Sequence, residues 1–372
     1  MRAERHVCSL ALVVARFDLT REELEQLLVG EPRYRAEQLW DAMHQGRDLQ
    51  AITTLPTKLR RRLENCKELA PALHVQNRWE ADDANTVKWL WSLHDGRSIE
   101  TVLMHYKDRS TACVSSQAGC AMGCTFCATG QGGFDRQLSS GEIIEQVVRA
   151  QCEAGARRLT NIVFMGMGEP LANYDAVMSA ITRIHDHLGI GARSITVSTV
   201  GVVPGIRRLA GEALRVNLAV SLHLANDEER NKLVPLNIRY PMVELIDACK
   251  EHVDRTGRRL SFEWALIAGI NDRQKDIDEL APLARQLGAH VNLIPLNPTP
   301  GYATPGSAPP TVAWFKQALK DAGVNATIRT TRGDDIDAAC GQLRHSAAAD
   351  IAPDRTRVAK RVAITVRPAR TG

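Results

Sequence analysis

A chain of 372 residues, 44% hydrophobic and 24% charged, has the composition of an ordinary globular protein and is long enough to bury a core without disulfides or a structural metal. Its 47 Lys and Arg against 43 Asp and Glu leave a formal charge of +4, too small to announce nucleic-acid binding by itself. The 9 cysteines are odd in number and mostly scattered, which argues against a secreted disulfide framework, and no apolar run approaches the roughly 18 residues that a membrane helix needs. Met1–His6 is basic, but no small-residue cleavage pattern follows the short apolar stretch behind it, so a cytoplasmic location is expected.

Residues 1 to 85 read as a small helical domain. Thr20 with Glu23 forms a capping box ahead of Leu24, Leu27 and Leu28 at helical spacing. A second helix is expected from Arg35 to His44, and a basic third segment from Lys58 to Lys67. That basic run is either a solvated helix face or a contact to RNA phosphates. From residue 86 to 345 strand-like and helix-like runs alternate. Strands are expected at Thr111–Ser116, Asn161–Met167, Ser194–Gly201, Val216–His223, Arg259–Ile267, His290–Asn297 and Asn325–Thr330. Among the helices between them, one opens on a Ser139/Glu142 capping box and another follows Pro241 with a core stripe from Met242 to Val253. Such repetition implies a parallel sheet with right-handed crossovers. Six units without a Gly-x-Gly-x-x-Gly after the first strand favour a barrel or partial barrel over a dinucleotide fold. Pro298–Pro310, with five prolines, reads as a loop, and residues 346–372 as a basic, mobile tail.

Gly119-Cys120-Ala121-Met122-Gly123-Cys124-Thr125-Phe126-Cys127 carries the strongest chemical signal. Thiolates spaced Cys-x3-Cys-x2-Cys in a Gly-containing loop after a strand suit three corners of a four-iron cluster, leaving the fourth iron for another ligand. A zinc site is the competing reading, but it lacks a second knuckle and has no His in the loop. Three unrelated core cysteines are the bland alternative. Polar residues also gather at the C-terminal ends of the expected strands: Gly168 and Glu169, Ser198, Ser221 and His223, and Asn297. In a barrel those ends share one rim, where active sites assemble.

These motifs resemble radical S-adenosylmethionine (SAM) enzymes, whose three-cysteine signature has an aromatic residue before the last cysteine, here Phe126. More narrowly, the chain is similar to RNA adenosine methyltransferases of the RlmN/Cfr type. The likeness spans Glu100 to Leu343 and rests on Cys113-Val114-Ser115-Ser116-Gln117, Met165-Gly166-Met167-Gly168-Glu169-Pro170, Ser221-Leu222-His223 and the run from Arg329 to Leu343. The resemblance implies an α/β fold, a partial (β/α)6 TIM-like barrel with the helical N-terminal domain. It implies a [4Fe-4S] cluster on Cys120, Cys124 and Cys127, and SAM contacts at Gly168, Glu169, Ser198, Ser221, Leu222, His223 and Asn297. It further implies that Cys340 is methylated by one SAM and donates that carbon, that Cys113 pairs transiently with Cys340 to release product, and that Glu100 accepts a proton.

The implied reaction methylates adenine C2 in 23S rRNA and in tRNA next to the anticodon. Two SAM are consumed per turnover, with electrons from a flavodoxin- or ferredoxin-type donor, by a monomer acting away from membranes. Methylation at adenine C8 would use the same cysteines. A metal-binding RNA module without turnover is the reading from another class, and a distant paired thiol such as Cys340 has no use in it.

Overall fold

The computed structural model describes residues 15–299, 301–329, 333, 336–338 and 341–343. The strands of the main sheet are β1 (His74–Ala81), β2 (Thr86–Ser92), β3 (Ser98–His105), β4 (Ser110–Cys113), β7 (Asn161–Phe164), β8 (Ile195–Thr199), β9 (Asn217–Ser221), β10 (Leu260–Leu266), β11 (His290–Pro295) and β12 (Ala326–Ile328). β5 (Gln117–Gly119) and β6 (Phe134–Gln137) form a separate antiparallel pair. The main sheet runs in sequence order from β1 to β12, skipping that pair. Its half from β4 onward is parallel throughout, with Thr111 opposite Asn161, Ile162 opposite Ile195 and Ser221 opposite Glu263. β1 and β12 are its edges, so among the described residues the barrel is open.

Each parallel crossover carries helix. Ser140–Ala154 joins β4 to β7, Tyr174–Leu188 joins β7 to β8, and Val203–Leu209 joins β8 to β9. Asp227–Leu233 and Met242–Thr256 join β9 to β10, Gln274–Gln286 joins β10 to β11, and Pro309–Asp321 joins β11 to β12. All seven strands read from the sequence are these seven parallel strands. β-branched and aromatic runs such as Ile162-Val163-Phe164 and Ile195-Thr196-Val197 fit the pleated surface between two layers. The expected capping boxes at Thr20 and Ser139 are both formed. Pro309 and Pro310, expected in a loop, instead open a helix, where a missing N–H costs nothing.

The helical reading of residues 74–81 is corrected: this segment is β1, and it pairs antiparallel with β2, which pairs with β3, which pairs with β4. The expected boundary at residue 85 falls in the β1–β2 turn. β1 is almost wholly exposed, so its sequence shows no inward–outward alternation. It is a strand because β2 offers it a backbone edge, a tertiary cause that leaves no local pattern.

The N-terminal helices Arg21–Leu27, Tyr34–His44 and Thr57–Glu64 pack beside the barrel. Asp18 joins them to it. Its carboxylate accepts Gly141 N–H at 2.6 Å and the Ser139 hydroxyl at 2.7 Å, so an anion caps the positive end of the helix Ser140–Ala154. A Cβ at position 141 would lie 2.6 Å from the Asp18 backbone nitrogen, which is why a glycine stands there. Arg16 reaches Glu145 of the same helix at 3.5 Å. No helix among the described residues is long and apolar enough to cross a membrane. The expected tail 346–372 lies outside the described residues.

Candidate active site

The loop after β5 turns on two left-handed glycines, Gly119 (φ +74°) and Gly123 (φ +67°). It sets Cys120, Cys124 and Cys127 along one wall of a cleft. Cys120 N–H donates to Gly133 O at 2.6 Å and Cys127 N–H to Cys124 O at 3.2 Å, so the loop is held by its own backbone. Burial, with a smaller push from charge on Cys127, raises the Cys120 thiol to about 12 and the Cys124 thiol well above its ordinary value. Thiols that feel one another's charge in a dry wall become thiolates only when a cation sits among them. Three thiols on one wall of a cleft suit a cluster, which spreads its three thiolates over three irons.

Phe126 explains itself in the fold. Its ring meets the His223 ring edge-to-face at 4.8 Å and 76°, tying the cysteine loop to the end of β9. His223 is buried with φ +60°, and burial, then the Arg230 charge, lowers its pKa to about 3. The ring is therefore neutral at physiological pH. Its Nδ1 accepts Ala265 N–H at 3.0 Å, which assigns the ring proton to Nε2.

The cleft also receives Gly168, Glu169, Ser198, Ser221, His223 and Asn297 from the ends of successive strands. Leu222 lies behind that wall, its N–H donating to Glu263 O at 3.1 Å. Gly168 has φ +101°, and a Cβ there would meet Gln117 Cβ at 2.5 Å, so only glycine fits this approach. Ser198 Oγ and Ser221 Oγ are 3.5 Å apart.

Cys113 ends β4, is buried, and lines a second cavity with Thr111, Asn161, Asn292 and Arg329. Met165, Ile294, Asn297 and Leu343 line both cavities, so the two adjoin. Glu100 lies on β3, two residues from Val102, the partner of Cys113, and shares its face of the sheet. Lys88 Nζ approaches Glu100 Oε1 at 3.3 Å, both side chains buried, and donates to Asp337 O at 3.2 Å. Cys340 lies outside the described residues. Its chain neighbour Gly341 does not: Gly341 O accepts the N–H of Ala128, the residue after Cys127, at 2.8 Å. Leu343 O accepts the Thr129 hydroxyl at 2.5 Å.

A protein of Frankia casuarinae named probable dual-specificity RNA methyltransferase RlmN is 49% identical over 373 residues, covering 95% of this chain and 86% of its own. One of the same name from Moorella thermoacetica is 50% identical, covering 88% of this chain and 96% of its own. This chain belongs to the RlmN family of radical SAM RNA methyltransferases. The radical SAM superfamily model matches residues 114–281, which hold all three motif cysteines and the strand ends from Glu169 to Ser221. The crystal structure of a radical SAM methyltransferase from Sphaerobacter thermophilus superposes with a TM-score of 0.85 at 50% identity, over 89% of this chain and 99% of that one. Radical SAM enzymes use SAM and a [4Fe-4S] cluster, and the three-thiol wall beside a polar cleft fits both.

Three residues of this RlmN-family site were not read from the sequence. Arg230 is buried, donating to Val200 O at 2.7 Å, Leu222 O at 2.9 Å and Asn237 Oδ1 at 2.6 Å, and so binds the ends of β8 and β9 together. Lys88 pairs with Glu100. Glu263 lines the cleft from β10. Each sits in an ordinary helix or strand pattern with no motif around it. Only the carboxylate amid the apolar run of β10, Leu260-Ser-Phe-Glu-Trp-Ala-Leu266, was a signal that sequence reading could have used.

Glu169 supports a test on the ligand-free protein. Its carboxylate accepts Leu171 N–H at 3.0 Å and Val200 N–H at 2.9 Å. Burial outweighs these bonds and raises its pKa to about 7. A carboxyl raised above its unfolded value binds a proton on folding. Its stabilising contribution is therefore complete below the ordinary carboxylate range and lost as pH rises through about 7. The expected loss is about 3 kcal/mol between those limits. Melting curves of wild type and Glu169→Gln from pH 5 to 8 should show the wild type falling more steeply; parallel curves would refute this assignment.

Proposed function

We propose that this chain methylates C2 of a specific adenosine in 23S rRNA and of the adenosine 3′ to the anticodon in tRNAs, using Cys340 as the methyl carrier. The observation that carries the reading is the bond from Ala128 N–H to Gly341 O. It brings the residue after Cys340 against the residue after the last motif cysteine, while Cys113 lines the adjoining cavity.

Cys120, Cys124 and Cys127 would hold one cluster per chain, which with SAM in the cleft would supply the one-electron chemistry that removes a hydrogen atom, the electron coming from a flavodoxin- or ferredoxin-type donor. The remaining work belongs to side chains. Adenine C2 is electron-poor and does not attack a sulfonium, so the methyl group first goes to the Cys340 sulfur, and a hydrogen is then removed from it. The target base, flipped from its stack, occupies the cavity beside Cys113. Glu100, held by Lys88, takes the ring proton after the carbon has been joined to C2, and the unpaired electron of the adduct would return to the cluster that supplied it. Cys113, as a thiolate, then attacks the Cys340 sulfur; the carbon–sulfur bond breaks with its electron pair on the carbon, which takes up a proton to become the methyl group of the released RNA, and a disulfide remains on the protein. Gly168 opens the turn, and the Glu169 carboxylate faces the SAM ammonium, with Ser198, Ser221, Asn297 and the backbone of Leu222 and His223 on its other polar parts.

The helical unit before β1 is the proposed RNA contact. Lys58, Arg61 and Arg62 are exposed on the helix Thr57–Glu64, whereas Leu59 and Leu63 face inward, so the basic run presents its charge to solvent. The reaction is placed in the cytoplasm with its RNA. The test is anaerobic reconstitution with iron, sulfide, SAM and RNA, followed by mass spectrometry of RNA digests. 2-Methyladenosine is the expected product; 8-methyladenosine, or SAM cleavage without RNA methylation, overturns the reading.

A further inference from the structure

We infer that Glu263 holds the ribose of SAM, its carboxylate accepting a hydrogen bond from the vicinal diol. The inference rests on reading the cleft as the SAM site. Glu263 is 3% exposed and stands in register with Ser221 of β9 and Asn292 of β11. Oε1 accepts the Asn292 side-chain N–H at 2.7 Å. Oε2 is buried and has no hydrogen-bond partner among the described residues; the Arg329 Nε pairs with it by charge at 3.9 Å, beyond hydrogen-bond reach.

A buried carboxylate oxygen without a donor is costly, and native proteins leave such atoms where something else supplies the donor. The side chain is not free to turn away. Its backbone oxygen accepts the Leu222 N–H at 3.1 Å and the residue lines the cleft, while Asn292 fixes its other oxygen.

The donor follows from the neighbours. Ser198, Ser221 and Glu263 come from β8, β9 and β10, three adjacent strands, and set hydroxyl, hydroxyl and carboxylate along one wall. A vicinal diol is complementary to that row, because each of its O–H groups both donates and accepts. The SAM carboxylate and sulfonium have no proton to give, and the ammonium is matched by Glu169 in the loop after β7; the adenine amino group has protons too, and analogues that lack one ribose hydroxyl separate it from the diol. Fixing the ribose also fixes the direction of its C5′ carbon, on which the geometry of hydrogen removal depends. A ribose hydroxyl could also come from the target nucleotide of the RNA, and the experiment separates the two sources.

Equilibrium binding is measured on anaerobically reconstituted holoenzyme with SAM, 2′-deoxy-SAM and 3′-deoxy-SAM, and separately with RNA. Wild type should bind SAM at least about tenfold more tightly than the analogue lacking the recognised hydroxyl, as a charged hydrogen bond warrants. E263Q keeps the side-chain volume and an acceptor for Asn292 but loses the charge. It should weaken SAM about tenfold while shrinking the preference over that analogue to about twofold or less. Equal weakening of SAM and both analogues, or unchanged SAM affinity, overturns the assignment. Unchanged SAM affinity with weakened RNA affinity gives the carboxylate to the target nucleotide and overturns it too. Iron content and melting temperature check the fold of E263Q; should it not load iron, E263D carries the same comparison. Failure of wild type to bind SAM at all would instead strike the reading of the cleft.

Discussion

Alanine at any one of Cys120, Cys124 or Cys127 is expected to abolish SAM cleavage and to cut iron loading from about four per chain to a small fraction. The geometry makes the effect severe. The three thiols share one wall of the cleft, so the loss of any one removes a third of the protein's direct ligands to the cluster. Loss of an outer-shell partner alone typically lowers metal affinity 10–100-fold, so loss of a direct ligand should exceed about a hundredfold. The variants should still fold. Phe126 keeps its contact with His223, and the loop keeps its bonds to Gly133, Leu233 and Gly341. Iron and sulfide analysis, with chromatography for 5′-deoxyadenosine, reads the result. Retained SAM cleavage in any of the three would sink the cluster assignment.

Cys113→Ala and Cys340→Ala are expected to fail differently. Without Cys340 there is no carbon to transfer, so no RNA becomes attached to the protein. Without Cys113 the carbon still joins adenine, but the thioether has no nucleophile beside it, and protein linked covalently to RNA accumulates. Cys113 is buried at the end of β4, so a solution thiol has poor access. A positioned nucleophile has an effective molarity on the order of 10^5 M or more, so a millimolar thiol is at a disadvantage of about 10^8. Denaturing gels of Cys113→Ala purified from cells should show an RNase-sensitive shift that is missing in Cys340→Ala. An equal shift in both, or none in Cys113→Ala, would reverse or remove the proposed roles.

Local chemistry wrote part of this protein directly into its sequence. The capping boxes at Thr20 and Ser139 are satisfied within four residues of themselves. The parallel strands are short buried runs, and the cysteine loop is a single turn of chain, so spacing alone displayed them. The helix Met242–Thr256 follows the apolar stripe that announced it.

The tertiary structure decided what depends on partners far along the chain. β1 is a strand only because β2 lies beside it, and nothing in His74–Ala81 shows that. Lys88 is an ordinary strand lysine until the backbone carbonyl of Asp337, 249 residues away, accepts its hydrogen bond beside Glu100. Glu263 becomes a binding candidate only when Asn292 takes one carboxylate oxygen and the cleft faces the other. The neighbour of Cys340 meets the cysteine loop because the chain ends its circuit of the barrel there, at Gly341 and Leu343. Periodicity and motif spacing report on chemistry within a few residues. Hydrogen bonds and burial between distant segments exist only once the sheet has brought those segments together.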